Sequence, residues 1–284
     1  MSIINIPPRP QSLDGFYATN NPYQVNGPKG FTEFKYLEEN QDLFVRLDFP
    51  GITKESVKIL LEPTKKAVFV FADAPRETKH DSVRKYGTAT GLICDCCEIS
   101  NIQCFVGDGV VRLILSKKKI NPYVPSFCSF GGARMPTDIP QLATIIRGYN
   151  PEVANGHPLA HLRGRNPEGR HGTDPLDPAF TGLVTISHPS VLEGPTRAYE
   201  SKQLSNGGLY LRLDMPGVPN DGFMVAVESD GGVIVIGRAP PVMYDSSGRD
   251  YGGKVAIVPI NYDTHRIKII TKHGVIRLII PPYC

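Results

Sequence analysis

The chain has 284 residues, 40% of them hydrophobic, with 31 Lys and Arg against 28 Asp and Glu for a formal charge of +3. That length fits two small domains, and so small a charge without a basic stripe gives no reason to expect nucleic acid as a partner. No apolar run approaches the roughly eighteen residues of a membrane span, so no membrane partner is expected. The start, Met1-Ser2-Ile3-Ile4-Asn5-Ile6, lacks the charged and apolar regions of a secretion signal. The expectation is a soluble intracellular protein, cytoplasmic or alternatively nuclear, whose six cysteines mostly stay reduced.

Residues 1–26 read as a short, weakly ordered arm rich in Pro, Asn and Tyr. A first domain follows over 27–116. Leu43-Phe44-Val45-Arg46-Leu47 has strand composition, and Pro50-Gly51 ends it as a type II turn, Pro presetting φ and Gly tolerating a positive one. A helical turn capped by Thr53 comes next. Val57, Ile59 and Leu61 then alternate with Lys58, Leu60 and Glu62, which predicts a strand with one buried face. After a turn at 62–66, Val68-Phe69-Val70-Phe71 is apolar throughout, so both of its faces are expected to be covered. Ala74-Pro75 closes it, and a polar loop over 76–85 leads to Tyr86-Gly87. Three more short strands complete the domain, the last placing Val111, Leu113 and Leu115 on one face and Arg112 on the other, a solvated face by expectation.

Residues 117–187 form a Pro- and Gly-rich connector without strand or helix period, except for a short candidate helix at 139–147. A flexible coil of some sixty residues spans roughly 40–50 Å root-mean-square, long enough for the domains to touch or stay apart. His157, His161 and His171 lie in it beside Arg163, Arg165 and Arg170. Their loose spacing reads as a solvated linker, not a metal or nucleic-acid site.

The second domain, over 188–284, repeats the first. Arg46-Leu47-Asp48-Phe49-Pro50-Gly51 returns as Arg212-Leu213-Asp214-Met215-Pro216-Gly217, at an offset of 166 (212 − 46). Gly109-Val110-Val111-Arg112-Leu113 returns as Gly274-Val275-Ile276-Arg277-Leu278 at 165 (274 − 109). Asn21-Pro22 and Gly27-Pro28 are answered by His188-Pro189 and Gly194-Pro195 at 167 (188 − 21). A period this long means two globular copies, not a solenoid. Phe223, Val225 and Val227 repeat the alternating strand, Ser229-Asp230-Gly231-Gly232 is a hairpin signal, and Val233-Ile234-Val235-Ile236 is the second wholly apolar strand. Short strands, frequent turns and scarce helical periodicity predict an all-β protein of two antiparallel β-sandwiches.

The densest reactive group is Cys94, Cys96 and Cys97 with Cys104. Four thiolates could hold zinc, but no paired C-x₂-C knuckle is present. Copy two has Pro259, Asn261, Tyr262 and Ile269 at those places, so the fold itself does not need the thiols. Free cysteine is the first reading, and a metal or redox response the alternative. Asp48 and Asp214 recur, but their place before a Pro-Gly turn assigns them to turn stabilisation. No phosphate-cradling glycine loop, nucleophile elbow or acid-base pair appears, so neither catalysis nor a cofactor is expected. Duplication kept turn formers and apolar strand positions, which favours binding.

The order Asp-x-Pro-Gly-[Ile/Val], Val-x-Ile-x-Leu, an apolar hairpin and a terminal Gly-Val-[Val/Ile] strand resembles the α-crystallin domain of small heat-shock proteins. The resemblance covers 38–116 and 205–281 and is similar to tandem, divergent plant members of that family. Val258-Pro259 occupies the place of the family's Leu-Pro pair, where copy one has Ile93-Cys94. It implies immunoglobulin-like sandwiches, ATP-independent holding of unfolding client proteins, and a groove accepting an Ile-x-Ile/Val segment. Carried over by position, the groove would use Val57, Ile59, Leu61, Ile102 and Cys104 in copy one. In copy two it would use Phe223, Val225, Val227, Ile267 and Ile269. The same alternation also reads as ordinary core.

The family often swaps a strand from a long loop between protomers, and here loop 76–85 has little strand character, so strand-swapped dimerisation is not expected. Pro281-Pro282-Tyr283-Cys284 carries no Ile-x-Ile motif, while Ile4-Asn5-Ile6 has the pattern and could add to a sheet edge. Monomers or small homo-oligomers are expected over large cages. An adaptor joining specific protein partners is the alternative to a chaperone.

Overall fold

The computed structural model describes residues 24–26, 31–37, 39, 41–92, 96–120, 188, 190–255 and 261–283. Copy one contributes β2 (Thr32–Tyr36), β3 (Leu43–Asp48), β4 (Val57–Leu61), β5 (Ala67–Ala74), β6 (Arg84–Gly91), β7 (Cys97–Gly107) and β8 (Val110–Lys119). Copy two contributes β10 (Tyr199–Gln203), β11 (Leu209–Asp214), β12 (Phe223–Val227), β13 (Val233–Ala239), β14 (Arg249–Val255), β15 (Lys268–Lys272) and β16 (Val275–Ile280). Two further strands, β1 (Gln24–Asn26) and β9 (Val191–Glu193), precede the two copies. All pairings are antiparallel, and none of the helical turns described is long and apolar enough to cross a membrane.

In copy one a sheet ordered β2-β3-β8-β7 faces one ordered β4-β5-β6-β9, and in copy two β10-β11-β16-β15 faces β1-β14-β13-β12. The apolar alternation is what closes them. Leu43, Val45 and Leu47 meet Val68, Val70, Val111, Leu113 and Leu115 in one core, and Leu211, Leu213, Val233, Val235, Ile276 and Leu278 make the other. Each Pro-Gly turn has the expected type II form. Gly51 and Gly217 have φ of 95° and 90°, with Ile52 N–H reaching Phe49 O at 3.3 Å and Val218 N–H reaching Met215 O at 3.1 Å. Thr53 leads a 3-10 turn, Lys54–Ser56.

The sheet orders contain an exchange. β9, which leads into copy two, pairs with β6 of copy one, while β1, which leads into copy one, pairs with β14 of copy two. Val191 enters the core of copy one. Gly194 is required there, because at its φ of 99° any Cβ would collide with the Val83 carbonyl. One expectation is thereby corrected, since the arm expected to be weakly ordered ends in a paired strand. Of the two arrangements that the connector left open, the copies touch, and they interlock. β8 also runs into the predicted connector, which was expected to start at 117, and ends at Lys119. The candidate helix at 139–147, the connector histidines, Ile4-Asn5-Ile6 and the Val258-Pro259 and Ile93-Cys94 pairs lie outside the described residues.

Candidate functional site: two open grooves around an internal clasp

The groove positions share one geometry. Val57, Ile59 and Leu61 pair with the core residues Ala72, Val70 and Val68, and so point to the inside of the sandwich. From the other sheet, Ile102 and Cys104 pair with Leu115 and Leu113 and point the same way. β4 and β7 are sheet edges, so these side chains line the open seam of the sandwich. Val57, Ile59, Ile102 and Cys104, joined by Val106, are half-buried against the core, whereas Leu61 is 41% exposed.

Copy two repeats the seam. Phe223, Val225 and Val227 pair with Gly237, Val235 and Val233 on β12, and Ile269 pairs with Leu278 on β15. Phe223, Val225 and Ile267 pack on the core, while Val227 and Ile269 are 40% and 47% exposed. Thr271 Oγ1 donates to Asn220 O at 2.8 Å and ties β15 to the turn before β12. Among the described residues, each seam is therefore an apolar strip between two edge strands, with no further strand paired along either lip.

Between the seams, the repeated charges do something the sequence reading missed. Arg46, Asp48, Arg112, Arg212, Asp214 and Arg277 are all buried. This corrects the solvated face expected for Arg112 and Arg277, and it gives Asp48 and Asp214 more than a turn-stabilising role. Arg46 Nε donates to Asp48 at 3.0 Å, and Arg212 Nε to Asp214 at 3.1 Å. The other bonds cross between copies. Arg46 Nη1 and Arg112 Nε both reach Asp245 at 2.9 Å, and Arg277 Nε reaches Asp81 at 2.9 Å. Arg249 meets Asp48, and Arg84 meets Asp214.

The Pro-Gly turns complete this clasp. Gly51 N–H donates to His273 O and Gly217 N–H to Asp108 O, at 2.9 and 2.8 Å. Pro50 O accepts from Tyr86 Oη and Arg212 Nη2, and Pro216 O accepts from Tyr251 Oη and Arg46 Nη2. Loop 76–85, which has little strand character, crosses to the other copy through Asp81, as 240–248 does through Asp245. The exchange discounted between chains thus occurs within one chain, carried by an aspartate instead of a strand. Burial opposes ionisation of both carboxyls, but the Tyr210 hydroxyl and Arg277 hold Asp81 below the usual carboxylate range. Arg112 and Arg46 do the same for Asp245.

A family model described as "Predicted plant small heat shock protein" matches residues 3–283 of the chain. The chain belongs to this plant small heat shock protein family. It is 63% identical, over 300 aligned positions, to the Arabidopsis thaliana protein called "Putative 57 kDa heat shock protein". That match covers 87% of this chain and 56% of the relative, so the chain spans little more than half the relative's length. Solved structures it is similar to include a small heat-shock protein from Xylella fastidiosa (TM-score 0.27, 20% identity, 30% of this chain and 84% of that one). Another is heat shock protein 16.0 from Schizosaccharomyces pombe (TM-score 0.26, 15% identity, 30% and 84%).

Cys96 is disulfide-bonded, which corrects the expectation of a reduced thiol there and removes one zinc ligand. Cys97 is buried on the core, its Sγ 3.7 Å from that of Cys96, and Cys104 is a half-buried thiol in the seam, where burial pushes its thiol up and Lys54 only partly offsets this. Among the described residues no group of three His, Cys, Asp or Glu side chains could hold a metal. Cys94, Cys128 and Cys284 lie outside them.

Proposed function

We propose that this chain is an ATP-independent holdase that receives extended apolar segments of unfolding clients in its two seams. The observation that carries this reading is the pair of seams whose lips are strand edges that no other described strand pairs with and whose walls leave Leu61, Val227 and Ile269 substantially exposed. An extended chain gains backbone hydrogen bonds from an edge and side-chain burial from the seam, without nucleotide. Burying one such aliphatic side chain contributes about 1.5–3 kcal/mol, so several together suffice for reversible capture.

The test is suppression of heat-induced aggregation of model clients at comparable molar ratios. Wild type should suppress it, and Ile59→Glu with Val225→Glu should lose most of that effect while retaining the thermal transition. A wild-type protein that leaves aggregation unchanged sinks the holdase reading. A second reading, an adaptor joining two specific partners, is favoured by the non-identity of the seams, one walled by Ile102 and Cys104 and the other by Phe223 and Ile269. It predicts that Ile59→Glu and Val225→Glu each remove a different protein from a pull-down.

A further inference from the structure

The two seams differ in how charge lies along their lips. On β15 and the turn before it, residues 264–273 carry Arg266, Lys268 and Lys272 and no acid. The equivalent residues of copy one, 99–108 at the offset of 165 (264 − 99), carry one acid, Asp108, and no base. Along the strand itself Lys268 answers Gln103, Ile270 answers Phe105 and Lys272 answers Gly107. Because Ile269 points into the seam, Lys268 and Ile270 turn to the outer face.

Two of the three bases are already committed. Arg266 Nε meets Asp263 at 2.6 Å, and Lys272 Nζ meets Glu77 at 2.9 Å. Lys268, between them in sequence, is exposed and has no acidic partner among the described residues. The β12 lip has the opposite sign. It turns Met224, 63% exposed, outward beside Ile236, 45% exposed, so the apolar strand β13 is not covered on both faces as expected. The charges near its ends are Asp221 and Glu228, the latter tied to Lys254. Copy one's β4 lip mixes both signs, with Lys54, Glu55, Lys58 and Glu62.

We propose that the copy-two seam selects extended polypeptide segments in which acidic residues alternate with apolar ones, and that these add to β15 and not to β12. This rests on the reading of the seams as client-binding edges. A strand added to β15 sends alternate side chains inward onto Ile267 and Ile269 and outward beside Lys268 and Ile270. An outward carboxylate opposite Lys268 gains an ion pair that the free protein lacks, whereas along β12 it approaches Asp221 and Glu228. Copy one presents Gln103 and Phe105 at the same places, the latter 41% exposed, so its β7 edge suits neutral apolar segments. A polyphosphate meets the bases but neither pairs with a strand edge nor fills an apolar strip, which makes a polypeptide the occupant.

The test titrates the full chain with two short blocked peptides, one alternating Glu with Ile and the other Gln with Ile, followed by fluorescence anisotropy. The Glu peptide should bind roughly two- to fivefold more tightly, the worth of one cross-strand ion pair, and added salt should shrink the difference. Lys268→Glu should reverse the preference and Lys268→Gln should remove most of it. Gln103→Lys, added to Lys268→Gln, should restore it by giving copy one the missing base. Both positions are exposed, so the thermal transition should stay in place. Equal binding of the two peptides, or a Glu preference that survives Lys268→Glu, overturns the proposal while leaving the seams as binding edges. Binding of neither peptide overturns the seam reading along with it.

Discussion

Asp245 and Asp81 occupy equivalent places in the two copies, at the tips of the two crossing loops, yet they are anchored differently. Asp245 accepts from two arginines of copy one, Arg46 and Arg112, with Arg112 bidentate at 2.9 and 2.7 Å. Asp81 accepts from one arginine, Arg277, and from the Tyr210 hydroxyl. The difference follows from one position on the first strand of the motif. Copy one has Phe44, whose ring meets Tyr244 at 5.8 Å; copy two has Tyr210, whose hydroxyl takes the place of a guanidinium. Arg212 keeps its bond to Pro50 O at 3.1 Å, the counterpart of Arg46 to Pro216 O. The clasp is conserved in topology and altered in chemistry, so its halves should fail separately.

The largest effect should come from the doubly anchored side. Asp245→Ala leaves Arg112 buried without a carboxylate and takes one of two from Arg46, and breaking a buried pair in this way costs about 3–5 kcal/mol. Asp81→Ala strands Arg277, whose Nη1 and Nη2 already find no acceptor among the described residues, but disturbs a single guanidinium. Urea denaturation of the full chain should therefore show Asp245→Ala less stable than Asp81→Ala by roughly the worth of one charge-assisted bond, about 1.5–3 kcal/mol. Equal losses would mean that the second arginine contributes nothing.

The exchanged segments differ as well, and pH can separate them. His188, just ahead of β9, is enclosed by Phe31, Phe49 and Tyr86. Ser190 N–H donates to its Nδ1 at 3.2 Å, which leaves Nε2–H to donate to Asp48 O at 2.6 Å. Burial, only partly offset by the bond to Asp48, pushes its pKa down to about 4. The unfolded imidazole titrates near 6.5, so between about pH 6.5 and 4 the unfolded chain binds a proton that the folded chain refuses. Stability present above pH 6.5 is then lost as pH falls, by on the order of 2–3 kcal/mol once pH 4 is reached. The depressed carboxyls of Asp81 and Asp245 act in the same direction at lower pH. Replacing His188 with Gln should flatten the Tm profile between pH 6.5 and 5 specifically. An unchanged slope would show that the ring is not held neutral.

The strands, the type II turns and the inward set Val57, Ile59, Val225 and Ile102 were legible because burial imposes a two-residue period that sequence displays directly. The clasp was not, because Arg46, Asp48 and Arg112 alternate with apolar residues just as solvated side chains do, and their partners come from the other copy. A usable signal did exist in the loops. Asp81-Ser82 before Arg84, Tyr86 and Gly87 recurs as Asp245-Ser246 before Arg249, Tyr251 and Gly252, and both serine hydroxyls turn out to bond the equivalent glutamates, Glu200 and Glu33. Charges kept at matching places in two otherwise dissimilar loops point to a partner outside the loop. The exchange of β1 and β9 was similarly foreshadowed by the upstream repeat, which lies ahead of both sandwiches.

The smallest effect isolates the residue from which the asymmetry arises. Tyr210→Phe makes copy two resemble copy one at that position while keeping the ring, and it removes a donor from Asp81. Burial together with the Asp81 carboxylate pushes the Tyr210 hydroxyl well above its ordinary range, so the hydroxyl stays protonated and its bond survives at any pH the fold tolerates. Its loss should cost about 1–2 kcal/mol, the lower part of the range for a hydrogen bond to a charged group. In the Asp81→Ala background the same substitution should cost nearly nothing, because its acceptor is already gone. Additive losses in that double-mutant cycle would break the comparison, since they would place the role of Tyr210 in packing against His80, 5.7 Å away, instead of in the clasp.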